Sequence, residues 1–417
     1  MNLLSPLVAL KNRGQHCRRS DVSGDEYIKR GTCAWLRATL ALFSAGLATF
    51  ALLYCVQPLM PALSEQFGVS PAASSLSLSV STGLLALGLL VTGPLSDAVG
   101  RKSVMVTALL MAAVFTLISA TMSSWHGLLI LRALTGLALS GVAAVGMTWL
   151  SEEVHPSALA FSMGLYISGN SIGGMSGRLL SGLIADFSSW RAAVAVTGCF
   201  ALAAALLFWK ILPPSRHFQP ASLKPRSLML NFRLHWRDPG LPLLFAEGFL
   251  LMGAFVTLFN YIGYRLMAPP WSLSQAIVGL LSVVYLTGSW SSPRAGALTV
   301  RYGRASVLLF STAVMLAGVL LTLVGHISVI LAGMMLFTAG FFAAHAVASG
   351  WIGPRARRAR GQASSLYLFS YYLGSSLAGT PGGVFWTHFG WNGITLFITA
   401  MLVMALLVGL RLRSKHL

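Results

Sequence analysis

The chain has 417 residues, 56% hydrophobic and only 9% charged, with a formal net charge of +19. Soluble proteins carry about a quarter charged residues, so this composition excludes an ordinary soluble enzyme and points to an integral membrane protein. The basic excess would suit nucleic acid in a soluble chain, but its placement argues for membrane orientation instead.

A hydrocarbon core of about 30 Å needs about 20 apolar residues of helix. On that measure the sequence predicts an all-α membrane protein with twelve spans, at 37–57, 75–96, 103–123, 127–150, 159–185, 192–212, 242–264, 273–293, 305–325, 328–351, 364–386 and 392–411. Residues 1–36 precede them. Their apolar run lies ahead of their basic residues, the reverse of a cleaved signal, so they read as a cytoplasmic tail. Cys17, Cys33, Cys55 and Cys199 show no paired spacing, which implies neither a disulfide framework nor a metal site.

Between spans 2 and 3 lies Gly93-Pro-Leu-Ser-Asp97-Ala-Val-Gly100-Arg101-Lys102, a charged turn marked by glycines. It returns 203 residues later as Gly296-Ala-Leu-Thr-Val300-Arg301-Tyr-Gly303-Arg304, with Val300 in place of the acid. Spans 5 and 11 repeat as well. Gly169, Gly173, Gly177 and Ser181 recur every four residues, and Ser370, Gly374, Ala378 and Gly382 stand 201 residues further on. Small residues at this spacing make a smooth helix face for close packing. Internal repeats are typical of secondary transporters.

Residues 213–240 form the longest polar interruption and divide the spans six and six. They read as a cytoplasmic middle loop between an N-terminal bundle, 37–212, and a C-terminal bundle, 241–411, with 412–417 as a cytoplasmic end. His235-Trp236, flanked by Arg233 and Arg237, suits a short amphipathic helix at the lipid surface or an ordinary basic connector. With both termini in the cytoplasm, 25 of the 29 Lys and Arg fall on the inner side. This is the positive-inside pattern.

Gly93-x-x-x-Asp97-x-x-Gly100-Arg101-Lys102 resembles the signature of the major facilitator superfamily. Arg132-x-x-x-Gly136 resembles its helix-4 motif, and Gly169-Asn170-x-x-Gly173-Gly174 resembles the helix-5 motif of its proton-driven antiporters. The resemblance implies two pseudo-symmetric six-helix bundles in the bacterial inner membrane. It also implies the drug:proton antiporter branch, with proton-coupled efflux of small amphipathic or cationic compounds by alternating access. A transporter of sugars or other metabolites, and a non-transporting sensor of the same fold, are the alternatives. The partners implied are a small-molecule substrate, protons and the lipid bilayer. No cofactor, metal, nucleic acid or obligate protein partner is implied.

Asp97 can accept hydrogen bonds from a helix N-terminus, for which span 11 of the other half is the natural candidate. The resemblance implies such an inner latch, with Arg101 pairing to Glu152 or Glu153 and Lys102 beside it; plain inner-surface anchoring is the bland reading of Arg101 and Lys102. Charges inside spans are costly and need partners or water. Glu247 is the one acid well inside a span, which makes it the first candidate for a proton carrier, against a structural ion pair. Arg132 matches an arginine that the resemblance links to proton coupling, or it snorkels outward. Arg178 has the same alternatives of snorkelling or lining the cavity. His345 can relay protons or simply bond a neighbour. Tyr54, Gln57, Asn170, Asn260 and Tyr371 are cavity candidates. Tyr367, Phe369, Tyr371 and Tyr372 offer aromatic faces to an organic cation. Gly169-Asn-Ser171-Ile-Gly173 fits a hydrolase pattern, but it lies in an apolar helix without a nearby acid. An enzyme is therefore not expected.

Overall fold

The computed structural model describes residues 27–218, 225–356 and 359–414. Most of the expected N-terminal tail and the end of the chain lie outside the described residues. The first half comprises α1 (Cys33–Tyr54), a short α2 (Met60–Phe67), α3 (Pro71–Val99), α4 (Arg101–Ser119), α5 (Trp125–Glu153), α6 (Pro156–Phe187) and α7 (Trp190–Ile211). α8 (Pro225–Arg237) occupies the connector. The second half comprises α9 (Leu241–Met267), α10 (Gln275–Leu280), α11 (Tyr285–Tyr302), α12 (Arg304–Leu321), α13 (Ile327–Arg355) and α14 (Arg360–Ser414). No strand occurs among the described residues, and Ile28 and Val154 form an isolated bridge.

Ten helical segments among the described residues are long and apolar enough to cross a membrane. α14 runs for 55 residues and turns at Gly390, whose φ of 57° suits glycine, so it makes two crossings. α6, at 32 residues, is also long enough to cross. The architecture is therefore the expected all-helical one with twelve crossings.

Most helices begin a few residues before the apolar runs, because their caps are polar. Thr32 Oγ1 accepts from Trp35 N at 3.2 Å ahead of α1, and Ser70, Ser124 and Ser189 do the same for α3, α5 and α7. The eighth crossing is less regular than expected. α10 tightens into a 3-10 turn at Leu281–Val284 before α11 continues to Tyr302. The connector contains the helix that His235-Trp236 suggested, with Leu230, Leu234 and Trp236 exposed and His235 buried. Asp238 Oδ1 accepts from Gly240 N and Leu241 N at 2.8 Å and so starts α9. Cys55 and Cys199 are free.

The small-residue faces explain the pseudo-symmetry. Gly169, Gly173 and Gly177 of α6 lie against the backbone of Phe43, Leu47 and Ala51 in α1. A side chain at Gly177 would come within 2.6 Å of Ala51 Cα. In the second half Gly374 lies on the backbone of Phe249, Ala378 on Gly253, and Gly382 beside Thr257 and Tyr261. Thus α14 packs on α9 as α6 packs on α1. Ser181 continues the first stripe as a buried residue, and Ser370 begins the second half-buried.

Among the described residues, a seam of hydrogen bonds joins the halves at one end. Ser75 and Ser79 of α3 bond Thr380 and Ser376 of α14, Ser64 meets Tyr264, Gln275 donates to Pro58 O, and Ser282 donates to Met175 O. At the end carrying Asp97 and Val300, Arg101 pairs with Asp97 and Glu152 of its own half, and Arg355 pairs with Asp238 at the start of the second. Hydrogen bonds thus tie the halves at the end away from the charged turns.

Candidate transport site

α1 ends at Tyr54, and the last carbonyls of a helix lack partners within it. Arg132 of α5 supplies donors. Its Nη1 and Nη2 donate to Leu52 O and Leu53 O at 2.9 and 2.8 Å, and its Nε donates to Ser77 O at 3.0 Å. Arg132 is 1% exposed, so it does not snorkel. The helix dipole also favours a cation at this terminus. Arg132 pins α1, α3 and α5 together and is not brought to Glu247 or His345.

The chain after Tyr54 leads to Gln57, which sits between the halves. Arg178 Nε donates to Gln57 Oε1 at 2.6 Å, and Gln57 Nε2 donates to Asn260 Oδ1 at 2.7 Å. Arg178 Nη1 donates to Gly174 O one turn earlier in α6. Its guanidinium lies 4.2 Å from the Tyr54 ring centre, 4.8 Å from Tyr285 and 5.5 Å from Phe259, a cation–π enclosure drawn from both halves. Arg178 is 3% exposed, so the outward snorkelling considered for it does not occur. No acid pairs with it among the described residues. Its Nη2, the Tyr54 hydroxyl and Asn260 Nδ2 are all buried without a partner. A buried orphan donor costs about 1–3 kcal/mol, and more when charged.

Glu247 lies in the first third of α9, 0% exposed, and neither carboxylate oxygen has a hydrogen-bond partner. The alternative of a structural ion pair is not seen. The Tyr367 ring packs over the neighbouring Gly248, and its hydroxyl is 2.8 Å from His345 Nδ1. His345 stacks near Phe341 and Tyr371. About 20 Å of helix separates Glu247 from Asn260 at 1.5 Å per residue, so acid and arginine occupy separate stations. Asn170 packs beside Gly46, its Oδ1 unpartnered, and Tyr371, at the matching place in α14, is buried.

The charged turn forms a separate cluster. Gly100, at φ 109°, and its copy Gly303, at φ 78°, both make the bend that other residues resist. Arg101 donates to Glu152 through Nε at 3.1 Å and Nη2 at 2.7 Å, and it also pairs with Asp97 one turn earlier. Asp97 meets Arg101 in this state and not the start of α14. Lys102 Nζ donates to Leu212 O at 2.5 Å. Glu153, offered as an alternative partner for Arg101, instead accepts from His217 N at 2.9 Å and holds the connector. Val300 is 90% exposed and touches nothing equivalent.

These features have known counterparts. The Major Facilitator Superfamily pattern matches residues 42–284, more than half of the chain. The chain belongs to the Major Facilitator Superfamily. It is 72% identical over 391 residues to the inner membrane transport protein YnfM of Escherichia coli (strain K12), covering 94% of each chain. It is 47% identical over 380 residues to an uncharacterized MFS-type transporter, YybF, of Bacillus subtilis (strain 168), covering 91% of this chain and 94% of that one. The fold matches a bacterial homologue of the human lysosomal transporter Spinster in an inward-facing, occupied conformation. The TM-score is 0.71 at 13% identity, over 89% of this chain and 95% of that one. It also matches the nucleoside transporter NupG at 0.73 and 15% identity, over 89% and 99%. At such identities the structural likeness is one of fold. The chain is a multi-pass inner-membrane transporter of a superfamily whose members move small molecules.

Sequence reasoning named Tyr54, Gln57, Arg178 and Asn260 separately, and the structure brings these four together. It missed Phe259 and Tyr285, which look like any other aromatic residues of a span. It noticed Tyr367 only as a ring, although the hydroxyl makes the contact. Tyr367 links His345 to Gly248, the chain neighbour of Glu247, and no bond reaches the Glu247 carboxylate.

Proposed function

We propose that this chain is a proton-coupled exporter of small amphipathic compounds, of the drug:proton antiporter branch, working by alternating access. The observation that carries the reading is Glu247, a buried acid without a partner, one residue from the Gly248 on which Tyr367 packs, in a molecule whose halves are bonded at one end. An unpaired carboxylate is costly there, so proton uptake and release at Glu247 can be tied to whether water or a cation reaches it. The Ser and Thr seam between α3 and α14 supports rocking, since its few bonds are exchangeable for bonds to water. The positive-inside distribution supports a cytoplasmic side for both termini and for the charged turns. On this reading residues 37–212 and 241–411 are the rocking bundles, and the bonded cluster of Asp97, Arg101 and Glu152 is an inner latch that engages α14 in the other state. Cationic cargo finds no acid at the Arg178 junction, so the geometry favours amphipathic compounds that are not cations.

The test uses everted membrane vesicles carrying the protein, energised by respiration. An amphipathic fluorescent compound should accumulate, and a protonophore should abolish accumulation. Accumulation indifferent to the protonophore removes proton coupling. Movement of sugars and of no amphipathic compound favours the metabolite reading.

A further inference from the structure

The junction around Arg178 carries more donors than acceptors. Arg178 has a buried cationic N–H group with no acceptor, the Tyr54 hydroxyl is buried and unpartnered, and Asn260 keeps an unpaired Nδ2 in the other half. The acceptors within reach are already engaged, Gln57 Oε1 and Gly174 O by Arg178 and Asn260 Oδ1 by Gln57. Buried polar groups are normally satisfied, and an exception asks for a missing partner. The partner that fits is an acceptor with negative charge, because the guanidinium lacks a counter-ion. The aromatic walls add a second requirement. Tyr54, Tyr285 and Phe259 surround the guanidinium at 4.2 to 5.5 Å, so a ligand that reaches it must lie among rings.

We infer that the Arg178 junction binds aryl carboxylates, the carboxylate accepting from Arg178, Tyr54 and Asn260 while the ring stacks among Tyr54, Tyr285 and Phe259. This rests on the reading of the junction as the place where cargo binds. Arg178 and Tyr54 come from the first half and Asn260 from the second, so such a ligand is held by both halves. Its arrival satisfies the three donors and leaves the Arg178–Gln57 bond, made through Nε, in place.

The test is binding to the purified full chain in detergent, by calorimetry, with three probes that share one ring: benzoate, benzamide and benzyltrimethylammonium. Benzoate should bind at least about tenfold tighter than benzamide, as a charge-assisted hydrogen bond would give, and the ammonium compound should bind weakest. Tyr54→Phe keeps the ring over the guanidinium and should weaken benzoate severalfold while leaving benzamide nearly unchanged. Arg178→Gln should erase the preference for the carboxylate. The inference is overturned if the ammonium compound binds best, if benzoate and benzamide bind alike or not at all, or if the order is unchanged in Arg178→Gln. The wild-type series decides even if that variant does not fold. Since binding is read without flux, loss of the anion preference leaves the transport proposal standing, and absence of proton-driven flux leaves the binding result standing.

Discussion

Gln57 donates to Asn260 at 2.7 Å and accepts from Arg178 at 2.6 Å, so one side chain ties both halves of the molecule to one buried cation. The closed end of the transporter and its central charge therefore share a residue. A change at either should be felt at the other.

Removing that link should open the closed end. Gln57→Leu keeps the size and apolar packing but removes both bonds, leaving Arg178 and Asn260 with further unmet polar atoms. Maleimide labelling of a cysteine introduced at Ser64, which bonds Tyr264 across the halves, should become severalfold faster in this variant than in the parent. Unchanged labelling would mean that the seam of α3 and α14 alone holds the end shut.

Arg132 makes a different kind of contribution. Its three bonds go to main-chain carbonyls of Leu52, Leu53 and Ser77. Arg132→Met fills much of the volume and leaves these acceptors buried, at a cost of roughly 3 kcal/mol or more. The detergent-solubilised protein should lose several degrees of thermal midpoint, with proton dependence of any residual transport preserved. A variant of normal stability that has lost only its proton dependence would return Arg132 to the coupling role that the helix-4 motif implies.

The twelve crossings were legible because membrane spans are a one-dimensional property, set by apolar length and by the turns between them. The repeat was legible for a related reason. Gly169 through Ser181 and Ser370 through Gly382 show their spacing in the sequence and their packing on α1 and α9 in space. What stayed hidden depends on contacts between distant helices. Nothing in the sequence says that Arg178 turns inward to Tyr285 and Phe259 when its position near a helix end also permits snorkelling. Nor does it say that Glu153 takes the connector's His217 while its neighbour Glu152 takes Arg101.

The two copies of the charged turn should respond unequally to mutation. Asp97 pairs with Arg101, which also holds Glu152, whereas Val300 at the equivalent place is 90% exposed. Asp97→Asn should slow transport about tenfold or more by unbalancing the two states, an effect worth about 1.4 kcal/mol, with little change in thermal stability. Val300→Asp should leave transport within about twofold, because an exposed helical ion pair is worth only about 0.3–0.5 kcal/mol. Equal losses in both variants would show that the turn acts through general surface charge and not through the Asp97 pair.

Glu247 offers the decisive separation of proton movement from cargo movement. Its carboxyl is enclosed without a partner beside Gly409, and Tyr367, which packs over the adjacent Gly248, bonds His345. Glu247→Gln cannot exchange a proton but keeps the shape of the site. In proteoliposomes it should lose accumulation driven by an imposed pH gradient, while exchange of labelled for unlabelled cargo without a gradient continues at nearly the parent rate. Tyr367→Phe removes the hydroxyl next to His345 and keeps the ring over Gly248, so it should slow only the gradient-driven process, by about 100-fold if a proton-transfer group is lost. Glu247→Gln protein that still accumulates cargo against the gradient at the parent rate would end the proton-carrier role of this residue. Loss of exchange together with accumulation would assign Glu247 to folding or cargo binding instead.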